Sequence, residues 1–268
     1  MRSNLEGMVF LLCIGVQHAL CSTQRSDSRS PPALPDEVTG AGLLRKRGWR
    51  WWISRRILST LFMQSRGRRQ GRLALEIVNK IPLVVLPGVF HPGLFVSTKL
   101  LLDVLEKIPL SDDSSVLDLG TGTGVCAILA AKRGARVKAV DINPLAVRCA
   151  NMNVLLNSLE DRVRVLEGNL FAPVGDERFD LVIFNPPYYE GPPRDWAEHA
   201  WRGEKVLKKF AEGLGSHLAQ SGRALISLST EMNLAEINAG LIGHGFEIQE
   251  RRRRRLVGET LFACECVR

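Results

Sequence analysis

From Ser97 onward the chain alternates helical segments with short runs that are apolar on both sides, and that alternation leaves few folds open. Strands are expected at Val116–Leu119, Val137–Asp141, Val163–Leu166, Phe179–Phe184, Ala224–Leu228, near Phe246–Arg252 and at Thr260–Val267. The early ones lack polar alternation, so both faces must be covered, which calls for a parallel sheet between two helical layers. The intervening helices are expected at Ser97–Glu106, Val125–Arg133, from Pro144, at Val206–Leu218 and at Leu234–Ile242. Proline is favoured in a first helical turn, and Gly243 suits a helix stop. No helix fits between the last two strands, so they form an antiparallel hairpin. The expected architecture is α/β: a doubly wound, seven-stranded sheet, mostly parallel.

The N-terminal third reads differently. Met8–Leu20 is apolar and loosely leader-shaped, but its single preceding Arg2 is offset by Glu6, and the run is too short to span a bilayer. Residues 1–42 therefore read as a leader-like or disordered extension, with Ser, Pro, Arg and Gly concentrated after Ser22. Residues 43–88 form a basic segment. Arg45, Lys46, Arg47, Arg50, Arg55, Arg56, Arg66, Arg68, Arg69 and Arg72 lie within it without one acid before Glu76, alongside Trp49, Trp51 and Trp52. One or two helices are expected over Leu43–Leu75, then an edge strand or hairpin over Ile81–Val89. The segment carries much of the net charge of +8 and suits phosphate-rich or acidic partners, or a solvated surface. Arg251–Arg255 reads as a solvated face whose stems partly cover a sheet edge. The six cysteines show no paired C-x-x-C spacing; Cys264 and Cys266 read as small core residues on one side of a strand. No metal site is indicated, and integral membrane insertion is not expected.

Two stretches carry chemistry. The first is Asp118-Leu119-Gly120-Thr121-Gly122-Thr123-Gly124, which follows a strand and opens a helix, the setting of a nucleotide-binding turn. Gly120 and Gly122 permit the turn and a close ligand approach, while Gly124 lets the helix start tight against the strand. Asp141 ends the next strand, where a carboxylate can accept from ribose hydroxyls. The sequence has Val125 where a dinucleotide reader has glycine. It therefore suits a smaller nucleoside with an amino-acid tail, and Asp118 lies where the loop can hold an ammonium.

The second is Asn185-Pro186-Pro187-Tyr188, directly after the apolar run Phe179–Phe184. Two prolines cannot continue a ladder, since neither has an N–H and both lock φ. They can present carbonyl oxygens beside the Asn185 amide and the Tyr188 ring, a cradle for a planar NH2 group.

With these stretches together, the chain resembles the class I S-adenosylmethionine-dependent methyltransferases. Within them it is similar to the group that methylates planar nitrogens, the release-factor glutamine and N6-adenine methyltransferases. The resemblance covers Val89–Arg268, the expected methyltransferase domain, and implies a Rossmann-like fold with S-adenosylmethionine as cofactor. By that resemblance Thr98 meets the methionine part of the cofactor, and Asn169 and Leu170 of Gly168-Asn169-Leu170-Phe171 hold its adenine. Asn169 stands where the glutamine-methylating branch commonly has Asp, so the charge there is lost. His91-Pro92-Gly93 likewise replaces a pattern that often carries acids. The resemblance implies direct in-line methyl transfer to nitrogen, with the Asn185 oxygen and the Pro186 carbonyl binding the NH2 group and Tyr188 stacking on the substrate plane. The expected acceptor is a protein glutamine, for instance in a translation factor. An exocyclic base amine of RNA or DNA is the alternative, with RNA or ribosome contact through the basic segment. A methyltransferase-like protein that only binds is the third possibility. The expected compartment is the cytoplasm.

Overall fold

The computed structural model describes residues 72–268 except 190, 195–197, 204 and 257. The leader-like stretch, the linker and the tryptophan-rich helices expected up to residue 71 lie outside the described residues.

The described chain begins with a hairpin, β1 (Ala74–Val78) and β2 (Ile81–Val85), paired antiparallel. Ala74 and Leu75 are therefore strand and not the end of a helix. Asn79 and Lys80, both at positive φ, make the two-residue turn. Ile81 and Leu83 are buried in the main core, so packing begins before Val89.

Next come α1 (Val96–Leu105), β3 (Ser115–Leu119), α2 (Val125–Lys132), β4 (Arg136–Asp141), α3 (Pro144–Leu156), β5 (Val163–Glu167) and β6 (Phe179–Phe184). The chain ends with α4 (Val206–His217), β7 (Leu218–Ser229), α5 (Leu234–Gly243), β8 (Glu247–Arg255) and β9 (Thr260–Val267). The seven strands lie in the order β5-β4-β3-β6-β7-β9-β8. All pairs are parallel except β7–β9 and β8–β9. The alternating apolar segments predict this sheet, and the C-terminal hairpin is where they place it.

The sheet separates two apolar layers. Leu100, Leu101, Leu105, Ile128 and Ile183 belong to one, with the β1–β2 hairpin. Phe171, Phe184, Phe210, Leu214 and Phe262 belong to the other. Cys264 and Cys266 are fully buried in the second layer, as small apolar residues.

Two strands exceed their expected length. β7 starts at Leu218 because α4 runs straight into it, and its register against β6 shifts between Phe179 and Leu181. Gly222 permits that irregularity: a Cβ there would lie 2.6 Å from the Phe179 carbonyl oxygen. β8 extends through all five arginines on the sheet edge. Arg251 sits at a bulge and donates to Glu265 at 2.7 Å, Arg252 pairs with Asp103 at 3.1 Å, and Arg253 lies over Phe262. The arginine run is thus partly tied down by carboxylates rather than being only a solvated face.

The chain lays β4 and β5 on one side of β3, then returns to place β6 on the other. The strand order reverses there, and the carboxyl ends of β3 and β6 flank a crevice at that point.

Candidate active site

The crevice holds a cavity of about 240 Å³. Thr98, Asp118, Gly120, Gly122, Asp141, Asn169, Leu170, Asn185 and Pro187 all line it. Residues 67 positions apart in sequence, from Asp118 to Asn185, meet because β3 and β6 are parallel neighbours in register, with Leu119 opposite Phe184.

The glycine turn is built by its own sequence. Gly120, Gly122 and Gly124 have φ of 63°, 57° and 82°, a region that L side chains avoid. Gly124 does not line the cavity. It caps α2, and its close neighbour is Ala150 of α3, 3.3 Å from where a Cβ would sit, rather than a strand.

The turn is tied down by two acids. Asp118 Oδ2 accepts from Thr121 Oγ1 at 2.6 Å and from the Ala127 N–H at 3.1 Å. Its Oδ1 accepts no hydrogen bond from any described residue, although Asp118 is only 3% exposed. Burial pushes the Asp118 carboxyl up to about 7, against those two hydrogen bonds. Asp141 accepts from the Gly122 N–H at 2.8 Å through Oδ2 and from the Asn143 N–H at 2.9 Å through Oδ1. Burial raises its carboxyl as well, while the two backbone donors and then His199 draw it back.

Thr98 is buried inside the first turn of α1. The cap position belongs to Phe95, and no side chain caps that helix, so capping does not account for Thr98. Asn169 is exposed, and Leu170 has a positive φ of 48°.

Pro186 and Tyr188 do not line the cavity, in contrast to the expected stacking of Tyr188 on a substrate. Pro186 is buried. The half-buried ring of Tyr188 packs against the first apolar layer, and its hydroxyl donates to Ser227 Oγ at 3.0 Å. Burial pushes that hydroxyl up to about 12. The Pro186 carbonyl accepts no hydrogen bond from any described residue.

Sequence reasoning missed the segment after Tyr188. Tyr189 and Arg202 form a bridge, with the Tyr189 N–H donating to the Trp201 carbonyl at 2.8 Å and the Gly203 N–H donating back at 3.1 Å. The closed loop puts Pro193, His199, Ala200 and Arg202 into the cavity lining. Trp201 lies 6.4 Å from Phe90 and 6.1 Å from Phe95, rings that stack on each other at 4.1 Å. Phe90 also faces the cavity. His91 pairs with Glu76 of β1 at 3.1 Å, joining this aromatic segment to the hairpin. The signal in sequence was faint: two Trp and one His in a polar stretch.

A parallel sheet with a glycine turn at its reversal point, an acid at the end of the next strand and an Asn-Pro-Pro segment facing it define a nucleoside-dependent transferase. The profile of the Methyltransferase small domain matches residues 80–253, and the chain belongs to that family, whose members transfer a methyl group from S-adenosylmethionine. It is 33% identical over 167 residues to a ribosomal protein L11 methyltransferase of Desulfitobacterium hafniense, covering 62% of this chain and 48% of that one. It is 37% identical over 135 residues to the ribosomal protein uL3 glutamine methyltransferase of Bradyrhizobium diazoefficiens, covering 45% and 42%. It is 38% identical over 105 residues to a tRNA1(Val) (adenine(37)-N6)-methyltransferase of Porphyromonas gingivalis, covering 37% and 39%. The matched stretch thus spans about half or less of each of these relatives. The ribosomal protein L11 methylase of Lactobacillus delbrueckii subsp. bulgaricus superposes with a TM-score of 0.52 at 26% identity, over 67% of this chain and 82% of that one. Among the described residues no helix is long and apolar enough to cross a membrane.

Proposed function

We propose that this protein methylates the side-chain amide nitrogen of a glutamine in a protein substrate such as a translation factor. The observation that carries the reading is that Asn185 and the glycine turn face one cavity. S-adenosylmethionine, when bound, supplies a methyl group on a positively charged sulfur. Asp141 is the acceptor for its ribose hydroxyls, and the unoccupied Oδ1 of Asp118 is the acceptor for its ammonium. Leu170 and Phe184 offer apolar faces to the base, with Asn169 beside them, and Thr98 stands at the methionine end.

An amide nitrogen is a poor nucleophile because its lone pair is delocalised. Asn185 Oδ1 and the Pro186 carbonyl would each accept one hydrogen of the NH2 group, which aims the nitrogen and raises its electron density. Positioning and fixed dipoles do this work, so no strong base is required. The likeness to the uL3 glutamine methyltransferase supports the amide as acceptor.

A base amine in RNA is the second reading. The likeness to the tRNA methyltransferase and the presence of Arg202 and Lys209 in the cavity lining favour it. S-adenosylmethionine with a labelled methyl group, incubated with extract from cells lacking this protein, separates the two. Label in protease-sensitive product supports the glutamine reading, whereas label lost only to nuclease overturns it. The cytoplasm, where such acceptors and the cofactor meet, is the compartment this reading requires.

A further inference from the structure

Ser227 drew no attention as sequence, yet it completes the site from behind. It lies on β7, the parallel neighbour of β6, and the pairing of Phe184 with Ile226 puts Ser227 level with Asn185. It is fully buried. Its Oγ donates to Asn185 Oδ1 and accepts from the Tyr188 hydroxyl at 3.0 Å. A hydroxyl has one proton, so the direction of this chain is fixed: Tyr188 to Ser227 to Asn185.

We propose that Ser227 and Tyr188 are positioning residues for the amide-binding site: a buried hydroxyl relay that holds the Asn185 side chain with its oxygen facing the substrate nitrogen. The inference rests on the methyltransferase reading given above and assigns Tyr188 a role different from stacking. An asparagine amide on a strand tip can rotate about its last bond, and its NH2 group would repel a substrate NH2 group. With Ser227 donating to it, that oxygen is locked as acceptor and keeps a second lone pair for the substrate. Tyr188 orients the Ser227 proton by occupying one of its lone pairs. Ser97 at the start of α1 also favours the ionised Tyr188 hydroxyl through its side chain, whereas Glu259 and Tyr189 disfavour it. The relay therefore joins three elements around one amide. It also gives the second proline-flanked residue of the motif a reason to be tyrosine, since phenylalanine would pack equally well.

The test has two arms on the full chain. In the first, 15N NMR follows the order parameter of the Asn185 side-chain amide, with no methyl acceptor present. Ser227→Ala and Tyr188→Phe should each lower it below the wild-type value, and an unchanged value in both overturns the relay. In the second, methyl transfer into cell extract is compared across variants. Ser227→Ala should lose roughly tenfold or more in kcat, the worth of one hydrogen bond in a preorganised site, with S-adenosylmethionine affinity unchanged. Tyr188→Phe should lose less, and Ser227→Cys, a weaker donor, should recover part of the loss. Ser227→Ala should add nothing to Asn185→Ala, because it acts through that residue; a full additional loss overturns the inference. Should Ser227→Ala fail to fold, Tyr188→Phe carries both arms. If the wild-type protein labels nothing in extract, the proposed function fails, while the NMR arm still judges the relay.

Discussion

The Asp141 carboxylate accepts the N–H of Gly122 at 2.8 Å, so the end of β4 and the cofactor turn hold each other in place. One side chain thus shapes the loop and remains available to a ribose. Asp141→Ala should weaken S-adenosylmethionine binding by roughly 10- to 100-fold, the range expected when a hydrogen bond to a charged group is lost. Asp141→Asn, which keeps an acceptor for Gly122, should fall between. Titration calorimetry checks both.

If Asp118 holds the cofactor's ammonium as proposed, cofactor binding should depend on pH. Its folded-state carboxyl is raised from 3.8 to about 7 by burial. A raised acid contributes stability that is complete below its unfolded value and lost as pH rises through the folded one. Between about pH 4 and pH 8, wild type should therefore lose denaturant stability relative to Asp118→Asn. Cofactor affinity should run the other way, strengthening as pH rises through the same region, because an ammonium needs the ionised carboxylate. In Asp118→Asn the affinity should be weaker and flat with pH. A flat wild-type affinity would rule out the role given to Asp118.

Asn185→Ala should lower methyl transfer by roughly two orders of magnitude or more, as removal of one preorganised polar group does elsewhere. Cofactor affinity should change little, since the turn and its two acids are untouched. Single-turnover labelling beside calorimetry reads the two separately, and near-normal transfer would remove Asn185 from the chemistry.

Gly124→Ala tests packing rather than chemistry. The position has φ of 82°, and a Cβ would meet Ala150 at 3.3 Å. The left-handed backbone alone costs about 1–2 kcal/mol for a residue with a Cβ, and the contact adds to it. Urea unfolding should show that loss, with cofactor affinity also reduced because α2 carries the turn.

On β9, between β7 and the edge strand β8, Glu265 sits between Arg251 at 2.7 Å and Arg223 at 3.6 Å, its side chain 5% exposed. Glu265→Ala would leave two guanidinium groups unpaired there. Both are about one-third exposed, so water compensates part of the loss, and a cost of roughly 1–3 kcal/mol is expected. Methyl transfer per folded molecule should be unchanged.

The central strands β3, β6 and β7 were legible as apolar runs, which is what a strand buried on both faces requires, while the arginine-rich β8 was legible only in part. The glycine turn and Asp141 were legible because few backbones require three glycines after a strand. Other features depend on partners distant in sequence. Ser227 is one serine in Leu225-Ile226-Ser227-Leu228-Ser229, and only strand register shows that it meets Asn185. The placement of Tyr188 likewise depends on distant partners: its ring packs against the first apolar layer and its hydroxyl meets Ser227, whereas Pro187 lines the cavity. The loop closed by Tyr189 and Arg202 has no periodicity to reveal it. The hairpin's place in the core was hidden because Leu73, Leu75 and Ile77 face solvent while Ile81 and Leu83 do not.

Asn153 in the last turn of α3 is fully buried and uses its whole amide: Val84 of β2 gives and receives, and the Thr123 carbonyl of the glycine turn takes the remaining hydrogen. That single side chain fastens the entry hairpin to the glycine turn. Replacing the β1–β2 hairpin would leave the Asn153 amide without its Val84 partners in an apolar setting and loosen the glycine turn, although none of the residues lining the cavity had been changed.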